Sequence, residues 1–222
     1  MADKTSIEAN YYNRKASAFK GDDMTDDHIH KSNDRLLRKS HFYYEDAIRK
    51  ELQKKLQGNI LDYGCGPGFK NFPFASPDWK IFGIDISEVS ISCAEKLAQE
   101  RDINAHYQVM DCEKMTFEDS FFDVVLDYGT FSSLDMQKAL PDLIRVMKPT
   151  ASLIAIETFG HNPVTNLKRW ISMLTGRRTR WATSHIMKTK DWKRIGLDFN
   201  SCSIQYFGFF VIFLGPLGKH CP

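Results

Sequence analysis

Residues 62–68 read Asp-Tyr-Gly-Cys-Gly-Pro-Gly, three glycines at alternate positions directly after a short apolar run from Asn59 to Tyr63. This feature constrains the fold more than any other. Glycine lets the backbone turn sharply and lets a ligand approach with no Cβ in the way. Pro67 fixes φ where a helix can begin. A buried strand that breaks into such a turn is the opening of an α/β unit, and the chain repeats the unit.

A second strand is predicted from Lys80 to Asp85. Ser87 is placed to cap the helix after it, whose apolar side carries Val89, Ile91, Ala94, Leu97 and Ala98. Strands follow at Ala105–Met110, Phe121–Leu126 and Ala151–Glu157. A helix at Asp135–Met147, stopped by Pro149, separates the last two. Two apolar runs, Cys202–Phe207 and Phe209–Leu214, read as final strands split at Gly208. Strands alternating with helices predict a doubly wound, mostly parallel sheet covered on both faces. Such sheets bind ligands outside the carboxyl ends of their strands.

The first 57 residues carry no strand signal. Helices are expected over Ile7–Lys20 and from Ser32 onward, the second with a stripe of Leu36, Leu37, Phe42, Tyr43, Ala47, Ile48, Leu52 and Leu56, and with Gly58 as its cap. The chain therefore divides into an N-terminal helical cap, 1–57, and an α/β domain, 58–222, with an insertion over about 160–196. An acidic loop over Gly21–Lys31 (Asp22, Asp23, Asp26, Asp27, His28, His30) has ligands too unevenly spaced for a metal and reads as solvated.

Composition narrows the class. At 42% hydrophobic and 26% charged residues, the 222-residue chain can bury a core, and its net charge of +2 argues for no nucleic-acid partner. Five cysteines with no C-x-x-C spacing point away from a zinc ribbon, a redox motif or a disulfide framework, so a cytoplasmic setting is expected. No secretory leader pattern follows Met1, and the longest apolar stretch, Ile204–Leu217, is shorter than the ~20 residues a bilayer span needs.

The acids at the strand ends narrow the ligand. A dinucleotide fingerprint would read G-x-G-x-x-G; here the third glycine comes one residue early and Asp62 precedes the loop. A carboxylate repels a diphosphate but suits a ligand carrying an ammonium and a sulfonium. Asp85 can accept hydrogen bonds from a ribose diol, which dinucleotides also carry, with a helix cap as the lesser alternative. Asp111 can receive an exocyclic adenine amine and the Cys112 amide a ring nitrogen, although a turn aspartate is the plainer reading. Asp127-Tyr128-Gly129 stands at the mouth of the site.

Taken in order, Ile60–Gly68, Phe82–Ser87, Asp111-Cys112, Phe122–Gly129 and Val146–Ile156 resemble the successive motifs of class I small-molecule methyltransferases dependent on S-adenosylmethionine (SAM). The resemblance covers about residues 58–158. It implies a seven-stranded sheet whose last strand is antiparallel. It also implies that Gly64 and Gly66 pack under the methionine part of SAM, that Asp85 holds the ribose and that Asp111 reads the adenine. Asp62, Cys65, Gly68, Ile86, Cys112, Asp127 and Tyr12 would line the same site, with Tyr11 and Tyr12 reaching the SAM carboxylate. The implied activity is methyl transfer to an oxygen or nitrogen of a small molecule. Two other readings are a SAM-binding partner protein without catalysis and an NAD(P)-dependent oxidoreductase.

The acceptor is harder to read. Asp127-Tyr128-Gly129-Thr130 stands where nucleic-acid amino methyltransferases carry a proline pair, which argues against nucleobases. Glu157 and His161 flank the end of the fifth strand. His161 is the first candidate for a base because imidazole titrates near neutrality, with a purely structural histidine the competing reading; His41 and His185 are weaker candidates. Segment 160–195 carries nine basic residues against the single acid Asp191, interleaved with Trp170, Trp181 and Trp192. A basic, aromatic lid suits an anionic or amphiphilic substrate or an anionic membrane surface, and also a solvated helical face. Oligomeric state is not legible.

Overall fold

The computed structural model describes residues 3–17, 35–161, 163–207 and 210–216. The acidic loop over 21–31, Gly208 and Cys221 lie outside these residues. Seven strands form one sheet: β1 (Gly58–Tyr63), β2 (Trp79–Asp85), β3 (Ala105–Val109), β4 (Phe122–Tyr128), β5 (Met147–Thr158), β6 (Ser203–Phe207) and β7 (Phe210–Pro216). Their order is β3-β2-β1-β4-β5-β7-β6. The first five run parallel, and β7 enters antiparallel between β5 and β6. The order reverses between β1 and β4, so the crevice of a doubly wound fold opens there.

Side chains alternate across the sheet. Ile60, Ile81, Val124, Leu126, Ile154 and Ile212 fill one face, where Tyr44 and Ile48 of α2 (Arg35–Leu52) pack. Leu61, Tyr63, Ile84, Phe122, Val125 and Leu153 fill the other face. There they meet Ala139, Leu143 and Val146 of α4 (Met136–Val146) and the fully buried Trp192. Each such aliphatic side chain contributes about 1.5–3 kcal/mol on burial. The helix α3 (Glu88–Glu100) starts as expected, with Ser87 accepting the Ser90 amide at 3.1 Å.

Three local expectations are corrected. Gly58 does not cap α2, which ends at Leu52; it opens β1, where a Cβ would stand 2.6 Å from the Trp79 ring. Pro149 does not stop a helix but lies inside β5, since the chain turns from α4 directly into strand at Met147. Phe42 and Leu56 are exposed, because the buried stripe of α2 runs through Tyr44 and Ile48.

The 14-residue helix α1 (Lys4–Ser17) crosses the carboxyl ends of the strands. The lid follows β5 as three helices: α5 (Pro163–Leu174), α6 (Arg180–Ser184) and α7 (Thr189–Ile195). Among the described residues, no helix is long and apolar enough to cross a membrane.

Candidate functional site

At the switch point a cavity of about 250 Å³ opens between the glycine loop, the ends of β2 to β4, and α1. The loop folds through left-handed glycines, with φ of +71° at Gly64 and +53° at Gly66. The two differ in what surrounds them. A Cβ on Gly64 would stand 2.3 Å from Thr130 Oγ1, so protein fills that side; a Cβ on Gly66 would meet nothing within 4 Å. Gly66 therefore leaves bare backbone facing open space. The expected helix after Pro67 is a six-residue 3₁₀ turn, Phe69–Phe74, which begins at Gly68.

Asp85 ties the loop to β2. Its Oδ2 accepts the Gly66 amide at 2.9 Å and its Oδ1 the Ser87 amide at 2.8 Å. Burial raises its pKa, while those two amides oppose the rise. A carboxylate offers about four acceptor positions, so a ligand hydroxyl can still bond to each oxygen.

Asp62 is 3% exposed, and its Oδ2 is buried without a hydrogen-bond partner. Burial pushes its pKa up to about 7, against the lowering effects of Asn71 and the Lys70 ammonium and with the Asp85 charge adding to the rise. An unpaired buried acceptor is costly by itself and is strongly favoured once a cationic donor reaches it.

On the far side, Asp111 Oδ1 accepts the Glu113 amide at 2.9 Å, and Tyr63 donates to the Cys112 carbonyl at 2.8 Å. These bonds hold the β3 turn against the end of β1.

The cavity is lined by Tyr12, Asp62, Gly64, Cys65, Gly66, Asp85, Ile86, Asp111 and Cys112, all of which the sequence had singled out. Gly68 and Asp127 lie outside the lining. Asp127 is fully buried behind the β4 end; its Oδ1 accepts the Thr130 amide at 3.0 Å and shapes the turn that carries Tyr128 and Gly129.

Glu157 and His161 also lie outside the lining. Glu157 is buried and accepts the Ser132 amide at 3.2 Å. Burial pushes its pKa up to about 7, and burial together with Glu157 raises that of Asp127. His161 is exposed, bonded to Thr189 Oγ1 at 3.0 Å and packed on Phe159. His185 stacks on Trp181, and His41 is bonded to the Tyr128 hydroxyl.

An N-terminal helix closing over the site with Tyr12 was expected from the sequence, but the other residues that α1 turns to the cavity were not. Lys4, Thr5, Glu8, Tyr12, Lys15 and Ala16 all face the cavity. Their three- and four-residue spacing was the available signal, a polar stripe on a helix whose apolar residues are sparse. Glu8 is 4% exposed and neither carboxyl oxygen has a hydrogen-bond partner. The Thr179 hydroxyl, whose oxygen accepts the Ala182 amide at 3.1 Å, keeps its O–H and stands close enough to lower the Glu8 pKa. Burial raises the Glu8 pKa. Tyr12 shares a hydrogen bond of 2.8 Å with Ser133, and burial pushes its phenol up to about 12. Tyr11 turns away and donates to the Arg177 carbonyl at 2.5 Å.

A family model described as a methyltransferase domain matches residues 54–200. Over 105 residues the chain is 31% identical to a ubiquinone biosynthesis O-methyltransferase of Coxiella burnetii, covering 47% of this chain and 42% of that one. It is 31% identical over 126 residues to a demethylmenaquinone methyltransferase of Lactococcus lactis, 53% of this chain and 50% of the relative. The chain thus matches half or less of the length of these relatives. A solved structure of a SAM-dependent methyltransferase from Methanosarcina mazei superposes with a TM-score of 0.60 at 23% identity, covering 78% of this chain and 97% of that one. That likeness concerns the fold.

Proposed function

The chain belongs to the methyltransferase-domain family, and from that premise we propose that it transfers a methyl group from SAM to an oxygen or nitrogen of a small molecule. The observation that carries the cofactor reading is the buried, unpartnered oxygen of Asp62 beneath a glycine loop whose Gly66 leaves room for a ligand. A diphosphate would be repelled there; the ammonium of an amino acid would complete the pair. The residues present therefore fit SAM. Asp62 would hold its ammonium, Asp85 its ribose hydroxyls, and Asp111 with the Cys112 amide its adenine.

Bound SAM supplies a methyl carbon activated by a sulfonium. The protein's own part is alignment and the exclusion of water. Helix α1 covers the cavity and presents Glu8 and the Tyr12–Ser133 hydroxyl pair to it. An unpartnered carboxylate at Glu8 is suited to orient an acceptor O–H or N–H and to take its proton. The exposed position of His161 makes it the weaker choice for that role. One named relative is a ubiquinone biosynthesis O-methyltransferase, which supports a hydroxyl as the first acceptor class to try.

Incubation of the protein with methyl-labelled SAM and a fractionated cell extract tests the reading. Label is expected in a small-molecule fraction and is expected to fall at least about 100-fold in Glu8→Gln, the size of a lost general base at the low end. Failure of S-adenosylhomocysteine to bind at about 100 μM, well below weak millimolar contacts, would overturn the cofactor assignment.

A further inference from the structure

Helix α5 of the lid is docked with its polar side inward. Arg169 is 6% exposed and donates to the Phe159 carbonyl at 3.3 Å and to Asn166 Oδ1 at 2.8 Å, while Asn166 donates to the Gly160 carbonyl at 2.8 Å. The opposite side carries Leu167, Trp170, Ile171 and Leu174, which are 57%, 52%, 49% and 63% exposed. Their spacing of three, four and seven residues places them in one stripe along the helix. In a water-soluble fold the apolar stripe of a helix faces the core, and a contiguous exposed apolar patch marks a surface that meets something else.

The charge around the stripe says what. Lys168 lies on the same helix and Arg177 and Arg180 follow it, all exposed. Lys188, Lys190, Lys193 and Arg194 are exposed further along the lid. Among the described residues none of these seven is in an ion pair with an acid, and Asp191 is the one acid of segment 160–195. An isologous contact between two copies would bring two such basic fields together, which like-charge repulsion opposes. An anionic bilayer surface complements both parts. Its headgroups attract the basic residues, and its acyl boundary accepts leucine, isoleucine and the interfacial ring of tryptophan.

We propose that the outward face of α5, Leu167, Trp170, Ile171 and Leu174 with Lys168 and the following Arg177 and Arg180, is a peripheral docking surface for anionic phospholipid bilayers. The helix would lie in the interface plane, which its 12-residue length and polar inner face suit. This inference does not depend on the cofactor assignment, because neither the stripe nor the seven basic residues line the cavity.

Co-sedimentation of the full chain with phosphatidylcholine vesicles, with and without phosphatidylglycerol, tests it. At about 0.1 M salt the protein is expected to pellet with the anionic vesicles at least about tenfold more strongly than with the zwitterionic ones. At about 1 M salt, where screening reaches within a few ångströms, that preference should collapse. The double variant Trp170→Glu/Leu174→Glu is expected to lose binding at least about tenfold, as carboxylates are repelled and cannot enter the acyl boundary. Both side chains are exposed, so its thermal melting should match that of the parent. Four results would each overturn the proposal: no pelleting with anionic vesicles, equal pelleting with both compositions, unchanged binding of the double variant, or concentration-dependent dimerisation abolished by the variant in a protein that ignores vesicles.

Discussion

Asp62 lends itself to a quantitative test. Its carboxyl is pushed from 3.8 to about 7 by burial. In the free protein it is therefore about one-tenth ionised at pH 6 and about nine-tenths at pH 8. An ammonium placed against its unpartnered oxygen binds the ionised form. The affinity for S-adenosylhomocysteine should then rise about tenfold from pH 6 to pH 8, or about 1.4 kcal/mol. Binding at pH 7 should release about half a proton, seen as a calorimetric heat that changes with the ionisation enthalpy of the buffer. Adenosine, which lacks the ammonium, should show no such slope. Asp62→Asn should bind S-adenosylhomocysteine weakly and without the slope, because the amide neither titrates nor carries charge. A flat wild-type profile between pH 6 and 8, or the same slope in Asp62→Asn, would refute the assignment of Asp62 to the ligand's cation.

Three further outcomes follow from the same geometry. Asp85→Asn keeps an oxygen for the Ser87 amide but sets an N–H₂ against the Gly66 amide. Losing charge-assisted bonds of about 1.5–3 kcal/mol each should weaken S-adenosylhomocysteine at least about 100-fold by calorimetry. Gly64→Ala places a methyl against Thr130 in a left-handed conformation. It should cost about 2–5 kcal/mol in a denaturant melt, whereas Gly66→Ala, with open space around it, should cost only the backbone strain of about 1–2 kcal/mol. Asp62 and Glu157 both have folded-state pKa values raised to about 7 by burial. The stability that depends on them is complete below about pH 4, where folded and unfolded chains are both protonated, and declines as pH rises through about 7. Glu157→Gln removes one carboxyl from that balance. The drop in melting temperature between pH 5 and pH 8 should shrink by at least about 2–4 °C, the shift that 1 kcal/mol gives in a chain of this size.

The parallel sheet and the residues that line the cavity at the strand ends were legible because their signals are local. Asp62, Asp85 and Asp111 each end or follow a β-rich run, and strand polarity alone brings such positions to one rim. Where a residue's role depends on what packs above it, the signal vanished. Glu8 looks like an ordinary surface glutamate until α1 is laid across the strand ends. His161 follows β5 at a plausible distance, yet the chain turns there into the lid and carries the imidazole to Thr189 and solvent. Gly58 misled because a glycine after a helical stripe usually caps it; here close approach of the Trp79 ring demands it instead. The inverted burial of α5 could not be read from periodicity, which shows that a helix has two faces but not which one turns inward.

The way α1 is held has a kinetic consequence. Of its 14 residues Glu8 is the one fully buried, so little hydrophobic burial secures the helix. Its moorings are polar: Asn13 receives the Ser87 hydroxyl at 2.7 Å, Tyr11 reaches the Arg177 carbonyl, and the Lys4 ammonium sits 4.5 Å from the centre of the Trp181 ring. These moorings lie at the start of α3 and on the lid, and Lys4 with Glu113 and Tyr12 with Ser133 add others at the turns after β3 and β4. Weakly secured elements open far more often than the core unfolds, so opening of α1 offers a way out of the cavity that leaves the sheet intact. Variants of Asn13, Tyr11 and Lys4 that loosen α1 are therefore expected to speed S-adenosylhomocysteine release in stopped-flow while leaving the cavity floor unchanged.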